Sequence, residues 1–259
     1  EVMDKDGNFY NDNYRDAKCH YHYTCTDGQQ TYKTKLTFYG YRYIRVNEFP
    51  GEVALENFTG VVVHSDMKRT GYIRTSDKML NQLFSNIVWG QKGNFLAVPT
   101  DCPQRDERLG WTGDSQIFCQ SGCYNMYSEA FYEKYIGDVM DAQRENGAFT
   151  DIAPYIHWPN QDPLVGYGNA AWGDAGVIMP WLLYKNYGNS RILSECYPNI
   201  VRYIDLLEQT TVDDIRTPIC YGDWLCVGTP VPFPVIDTLY MIYVTELAIN
   251  IARLVGDEK

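Results

Sequence analysis

The feature that most constrains the fold is a change of hydrophobic period near residue 70. Before it, apolar and polar side chains alternate, as over residues 31–46, where Leu36 and Phe38 share a face, and a stretch from Glu52 closes on Val61, Val62 and Val63. Period two predicts strands. The phase is lost after Gly40, which predicts a bulge or bend there. Beyond residue 70, Met79, Leu80, Leu83, Phe84, Ile87 and Val88 recur at three and four, which predicts a helix capped by Ser76 and ending near Gly93. Residues 1–70 therefore read as the C-terminal part of a β-sandwich domain whose other strands would lie upstream, and residues 71–259 as a helical domain.

The helical part alternates short and long connections. Residues 94–113 hold Pro99, Pro103, Gly110 and Gly113 and cannot form one regular element. Asp114 is placed to cap a second helix with Ile117, Phe118, Ser121 and Cys123 or Tyr124 inward. A third follows Ser128, carries Phe131, Tyr135, Ile136, Val139 and Met140, and stops before Gly147. A long connection over residues 154–168 leads to a helix over 169–187 that is apolar nearly all round, which predicts burial on both sides despite Pro180. Gly188 ends it, Asn189 starts the next, and Pro198 is expected to open a fresh turn leading to Ile200, Tyr203, Ile204 and Leu207. Irregular sequence over 210–233 precedes a last helix over 234–255 with Leu239, Ile242, Tyr243, Leu247, Ile251 and Leu254 on its stripe. Some six helices joined this way suit hairpins packed in layers.

Several classes are disfavoured by composition. A net charge of −11 is wrong for a nucleic-acid surface. No run approaches the ~20 apolar residues of a membrane span, and no apolar leader opens the chain. Eight cysteines occur without a CxxC pair or a zinc-module spacing, and Cys119 and Cys123, four apart on a helix, have poor disulfide geometry. They read as free thiols. His20, His22 and Cys25 lack an apparent fourth ligand, so a metal corner there is not expected.

The chemistry concentrates in residues 101–114, where Asp101, Asp106, Glu107 and Asp114 interleave with Arg105, Arg108 and Trp111. Two readings fit that composition: an acid/base site, or a structural ion-pair network around a turn. If the helices alternate in direction, the long loops gather at one end. His157, Trp158, Trp172 and Asp174 would then join Asp223 and Trp224 around one pocket. Acids beside tryptophans suit a sugar. Asp174 could equally be a helix cap or an internal ion-pair partner, and Asp223 an Asx-turn. Glycosidic cleavage needs one acid to protonate the leaving oxygen and a second carboxylate to attack or to activate water. Glu107, with its longer reach and with Leu109 and Trp111 close by, is narrowly preferred as the proton donor.

The string from Pro99 to Asp114 closely resembles the signature of bacterial α-L-rhamnosidases of glycoside hydrolase family 78. The resemblance extends to residues 89–95, 171–174 and 221–225, and to residues 39–43 and 63–66 of the β part. It implies a mainly α fold, an incomplete (α/α)6 barrel of about six helices preceded by a small β-sandwich remnant, with residues 71–259 as the first half of the catalytic domain. It also implies hydrolysis of terminal non-reducing α-L-rhamnose with inversion, without a cofactor or metal. Glu107 matches the family's general acid. Asp101, Arg105, Trp111 and Asp114 match residues that hold the sugar, and Trp224 lies in a segment resembling a pocket wall. Asp106 and Arg108 remain as local ion-pair partners. The family's general base has no match in this sequence, so the segment alone is expected to be inactive. The alternatives are a non-catalytic carbohydrate-binding module and a truncated, inactive fragment. The expected partners are rhamnose-containing glycosides, not nucleic acid or a membrane, together with either the remainder of its own barrel or a second copy. The compartment stays open, cytoplasmic or periplasmic in a bacterium.

Overall fold

The computed structural model describes residues 2–156, 168–216 and 221–257. Six helices dominate: α1 (Lys78–Asn94), α2 (Thr112–Asn125), α3 (Glu129–Asp141), α4 (Ala175–Tyr187), α5 (Ser190–Gln209) and α6 (Phe233–Val255). Two small antiparallel hairpins accompany them, β1 (Val2–Met3) with β2 (Phe9–Tyr10), and β3 (Thr211–Val212) with β4 (Ile215–Arg216).

α4 is the hub, packing against α2, α3, α5 and α6. That explains its all-round apolar sequence, because Ala175 to Pro180 are all buried and no polar face is needed. Tyr132, Tyr135, Ile136 and Val139 of α3, Leu193, Ile200 and Tyr203 of α5, and Val244, Leu247 and Ile251 of α6 complete the core around it. α1 joins this core through Phe84, Val88 and the buried amide of Gln91, which donates to the Gly122 carbonyl at 3.1 Å and accepts from Asn125 at 3.1 Å.

Local chemistry corrects several sequence expectations. Asp77, not Ser76, caps α1, its Oδ1 accepting from the Met79 N–H at 2.7 Å. Asp114 lies inside the first turn of α2, where a negative charge still favours the positive end of the helix dipole. Pro198 does not open a new helix but sits within α5. Both Pro198 and Ser194, whose carbonyl loses its i+4 donor, lie on the exposed side, where water can replace the missing bond. The single buried stripe from Ile192 to Leu207 then holds both halves in one rod.

The strands expected over 31–46 and 61–63 do not form ladders among the described residues. Alternation creates a strand only where a neighbour accepts the backbone bonds. At Leu36 the chain turns through φ 57, leaving that side chain wholly exposed instead of sharing a buried face with Phe38. The expectation about apolar runs also needs correction. By length and composition α6 could cross a membrane, with a mean hydropathy of 1.4 over its best window. It packs on α5 and α4 with Asp237 buried, and 28% of that window is buried.

Candidate active site

The loop between α1 and α2 is pinched shut at its base. Asp101 N–H donates to the Leu109 carbonyl at 3.1 Å, and Leu109 N–H returns to Asp101 Oδ1 at 3.0 Å. Asp101 Oδ2 accepts from Arg105 Nη2 at 3.3 Å, and the same nitrogen lies 2.8 Å from Glu107 Oε2. Arg15 Nη1, from the N-terminal segment, reaches that oxygen at 3.1 Å. Asp101, Cys102 and Glu107 place ligand atoms within 4.8 Å of one another, a spacing a metal could use. Here the Arg105 guanidinium supplies the positive charge between the two carboxylates. Burial pushes the Cys102 thiol up, keeping it protonated.

Asp106 and Arg108 do not form a local pair. Asp106 faces Arg15 at 3.9 Å and accepts from the Asp16 N–H at 3.3 Å. Arg108, with φ 45, turns the other way, donates to the Phe38 carbonyl at 3.3 Å and lies over the Phe38 ring.

Past Leu109 the loop is stitched to residues 150–153. The Gly110 carbonyl accepts from the Tyr135 hydroxyl at 2.7 Å and from the Ala153 N–H at 2.9 Å. A Cβ at Gly110 would fall 2.1 Å from the Ala153 carbonyl oxygen, so only glycine permits this approach. Thr112 N–H donates to the Asp151 carbonyl at 2.8 Å, and its hydroxyl donates to the same oxygen at 3.0 Å. The fully buried Asp151 side chain accepts at Oδ2 from Asn169 at 2.9 Å and from the Tyr221 hydroxyl at 3.0 Å. All three long connections thus meet at Asp151. The sequence reading passes over this residue, although a lone acid between Phe149 and Ile152 in an apolar stretch is the signal that could have marked it.

The tryptophans gather around Tyr221. Its ring centroid lies 4.5 Å from Trp172, 5.7 Å from Trp224 and 6.5 Å from Trp111. The Trp172 ring also covers Gly113, where a Cβ would sit 2.7 Å from it. Trp224 is 61% exposed, giving the cluster an open aromatic face. Asp223 sits between Tyr221 and Trp224 in a turn closed by the main chain, Cys226 N–H to the Asp223 carbonyl at 3.2 Å, in place of an Asx-turn. Asp114 follows on the first turn of α2, crowded enough that desolvation, with Asp101 and Glu107 nearby, raises its carboxyl against the pull of Arg105. Its side chain still reaches solvent, so little stability is at stake.

Asp174 stands apart from this group. It is wholly buried, accepting from the Tyr203 hydroxyl at 2.8 Å and the Ala171 N–H at 2.7 Å, with Arg216 Nη1 at 3.8 Å. Burial raises its carboxyl, opposed by Arg216 and the two hydrogen bonds. Of its alternatives, the internal ion pair is the one its surroundings match. His157 and Trp158 lie outside the described residues. A concavity of about 280 Å³ opens elsewhere, on α1 beside Arg69, Phe84, Trp89 and Lys92. It is lined by no carboxylate.

Helical hairpins carry, on their connections, a guanidinium-braced acid loop beside an open aromatic cluster, and residues 68–259 belong with the six-hairpin glycosidase domains. The chain belongs to the bacterial α-L-rhamnosidases of glycoside hydrolase family 78: residues 68–259 match the bacterial alpha-L-rhamnosidase 6 hairpin glycosidase domain, and residues 1–64 the bacterial alpha-L-rhamnosidase concanavalin-like domain. An alpha-L-rhamnosidase of Streptomyces avermitilis is 42% identical over 259 residues, all of this chain and 25% of that protein. One from Alteromonas sp. (strain LOR) is 36% identical over 85% of this chain and 24% of its own length. Among solved structures, the Streptomyces avermitilis alpha-L-rhamnosidase complexed with L-rhamnose aligns with a TM-score of 0.71 at 43% identity, covering 75% of this chain and 18% of that one. The alpha-L-rhamnosidase from Dictyoglumus thermophilum aligns at 0.74 and 36% identity, over 81% of this chain and 24% of its own. The chain thus spans about a quarter of the length of the curated relatives it matches.

Proposed function

We propose that this chain supplies the acid-bearing half of an inverting α-L-rhamnosidase, with residues 1–70 the end of a β-sandwich domain and residues 71–259 the first half of the (α/α)6 catalytic domain. Glu107 is the general acid. It gives its proton to the glycosidic oxygen as the bond to the anomeric carbon breaks, and the bonding pair stays on that oxygen. Water attacks the opposite face of the sugar and loses a proton to a second carboxylate. Asp101, Arg105, Trp111 and Asp114 hold the rhamnose, with Trp172, Asp223 and Trp224 on the aromatic side.

The observation that carries this reading is the bracing of Glu107 on one oxygen, Oε2, by Arg105 and Arg15. Oε1 has no hydrogen bond to a described residue and is available for the transferable proton. Asp101 is a poor candidate for the base. Its two oxygens are engaged by Leu109 and Arg105, and one lies within 4.8 Å of Glu107. An inverting pair needs roughly 6.5–9.5 Å to seat a water. The general base of the family that the sequence resembles has no match among residues 1–259, and the base is assigned outside this chain on that resemblance.

The test is Glu107→Gln in a protein carrying this sequence together with the remaining barrel. Turnover of an aryl α-L-rhamnoside should fall by about 10²–10⁴-fold while rhamnose binding persists. Undiminished turnover would remove Glu107 from the role. Residues 1–259 alone should release no rhamnose above background, and robust release would place the base within the chain.

A further inference from the structure

We propose that Arg15 is a positioning residue for Glu107, carried to the catalytic loop by the N-terminal segment. The inference rests on Glu107 being the proton donor. Arg15 follows the single helical turn Asp12–Tyr14 and has φ 57, a left-handed conformation that residues with a Cβ seldom adopt. Contacts on both sides hold this turn against residues 103–107. The Asp16 N–H donates to Asp106 Oδ2 at 3.3 Å, and Cys19 Sγ lies 3.3 Å from the Gln104 carbonyl. The buried Tyr14 donates its hydroxyl to the Gly40 carbonyl at 3.0 Å, and Gly40 N–H donates to the Pro103 carbonyl at 3.2 Å. A Cβ at Gly40 would come within 3.0 Å of Pro103, so the two segments are in direct backbone contact.

Arg105 alone gives the acid one donor, Nη2, which lies 2.8 Å from Glu107 and 3.3 Å from Asp101, just as Arg15 Nη1 lies 3.1 Å from Glu107 and 3.9 Å from Asp106. A glutamate has three side-chain torsions, and one shared donor leaves several of its arrangements open. Arg15, arriving at 3.1 Å from a separate segment on the same Oε2, restricts them and leaves Oε1 as the working oxygen. The Arg15 side chain is 55% exposed, so its pair adds little to folding stability. Its effect belongs to orientation, where a displacement of about 1 Å can cost ~10²-fold in rate.

Leaving-group dependence tests this, again in a protein carrying residues 1–259 with the remaining barrel. Aryl α-L-rhamnosides with basic leaving groups require protonation, whereas a 2,4-dinitrophenyl rhamnoside does not. Arg15→Gln should lower kcat about 10- to 100-fold on the former and barely on the latter, with KM and Tm little changed. Arg15→Lys, which keeps the cation without the fork, should fall between, and it carries the test if Arg15→Gln does not fold. Equal losses on both substrates, or none, would overturn the proposal. If Glu107→Gln itself shows no leaving-group dependence, the acid assignment fails. If it does and both Arg15 variants do not, only the role of Arg15 fails.

Discussion

Asp174 and Glu107 are both acids that the sequence offers to a sugar site, and their surroundings separate them. Glu107 stands on a surface loop with guanidiniums on one oxygen, while Asp174 is sealed between Tyr203, Ala171 and Arg216. Burial is the largest influence on Asp174 and raises its carboxyl above the ordinary 3.8. A raised carboxyl contributes stability that is complete below that value and lost as pH rises through the folded one. The unfolding free energy of the native protein relative to Asp174→Asn should therefore fall as pH rises through that window, as read by urea unfolding at a series of pH values. A difference that grows with pH would mean that Arg216 outweighs burial.

Among the elements, α5 shows how packing overrides a local stop signal. Pro198 cannot donate to the Ser194 carbonyl, yet Ile192, Leu193, Cys196, Ile200, Tyr203 and Leu207 bury one continuous stripe across it. Pro198→Ala should restore the bond and raise the unfolding free energy by about 1–3 kcal/mol in chemical denaturation. A loss of stability would mean that the kink itself is needed by the packing. Gly110 makes the opposite point, because there the backbone leaves no room for a side chain. Gly110→Ala should cost about 1–3 kcal/mol, as overpacking does, and should loosen the loop from Ala153. A melting temperature equal to that of the native protein would contradict the close approach.

Across the whole molecule, α1 and α6 keep apolar strips turned outward: Met79, Leu80 and Leu83 on α1, and Leu239, Ile242 and Tyr243 on α6. These are residues whose spacing predicts burial, and only Phe84 and Val88 of the first stripe and Leu247 and Ile251 of the second find it. Apolar surface of this extent should drive self-association of residues 1–259 in isolation, visible by light scattering as mass rising with concentration. A stable monomer at tens of micromolar would contradict this. Substituting Leu83→Glu and Ile242→Glu together should reduce association without lowering Tm, since neither side chain is in the core.

What the sequence determined by itself are the features written in short-range chemistry. The six helices follow from period 3.6 and glycine or proline punctuation, and the acid loop follows from the density of charge between Asp101 and Asp114. Tertiary structure alone decided which of these residues meet. Asp151 joins three connections that are up to 70 residues apart, Arg15 reaches Glu107 across 92 positions, and Asp174 is drawn into the interior by Tyr203 and Arg216. The strands expected before residue 70 show the same division, because alternation sets a side chain's face but a ladder requires a second backbone. Local periodicity is fixed by neighbours in the chain. Whether an acid stays on a surface loop or becomes a buried brace depends on donors and burial that only the assembled fold supplies.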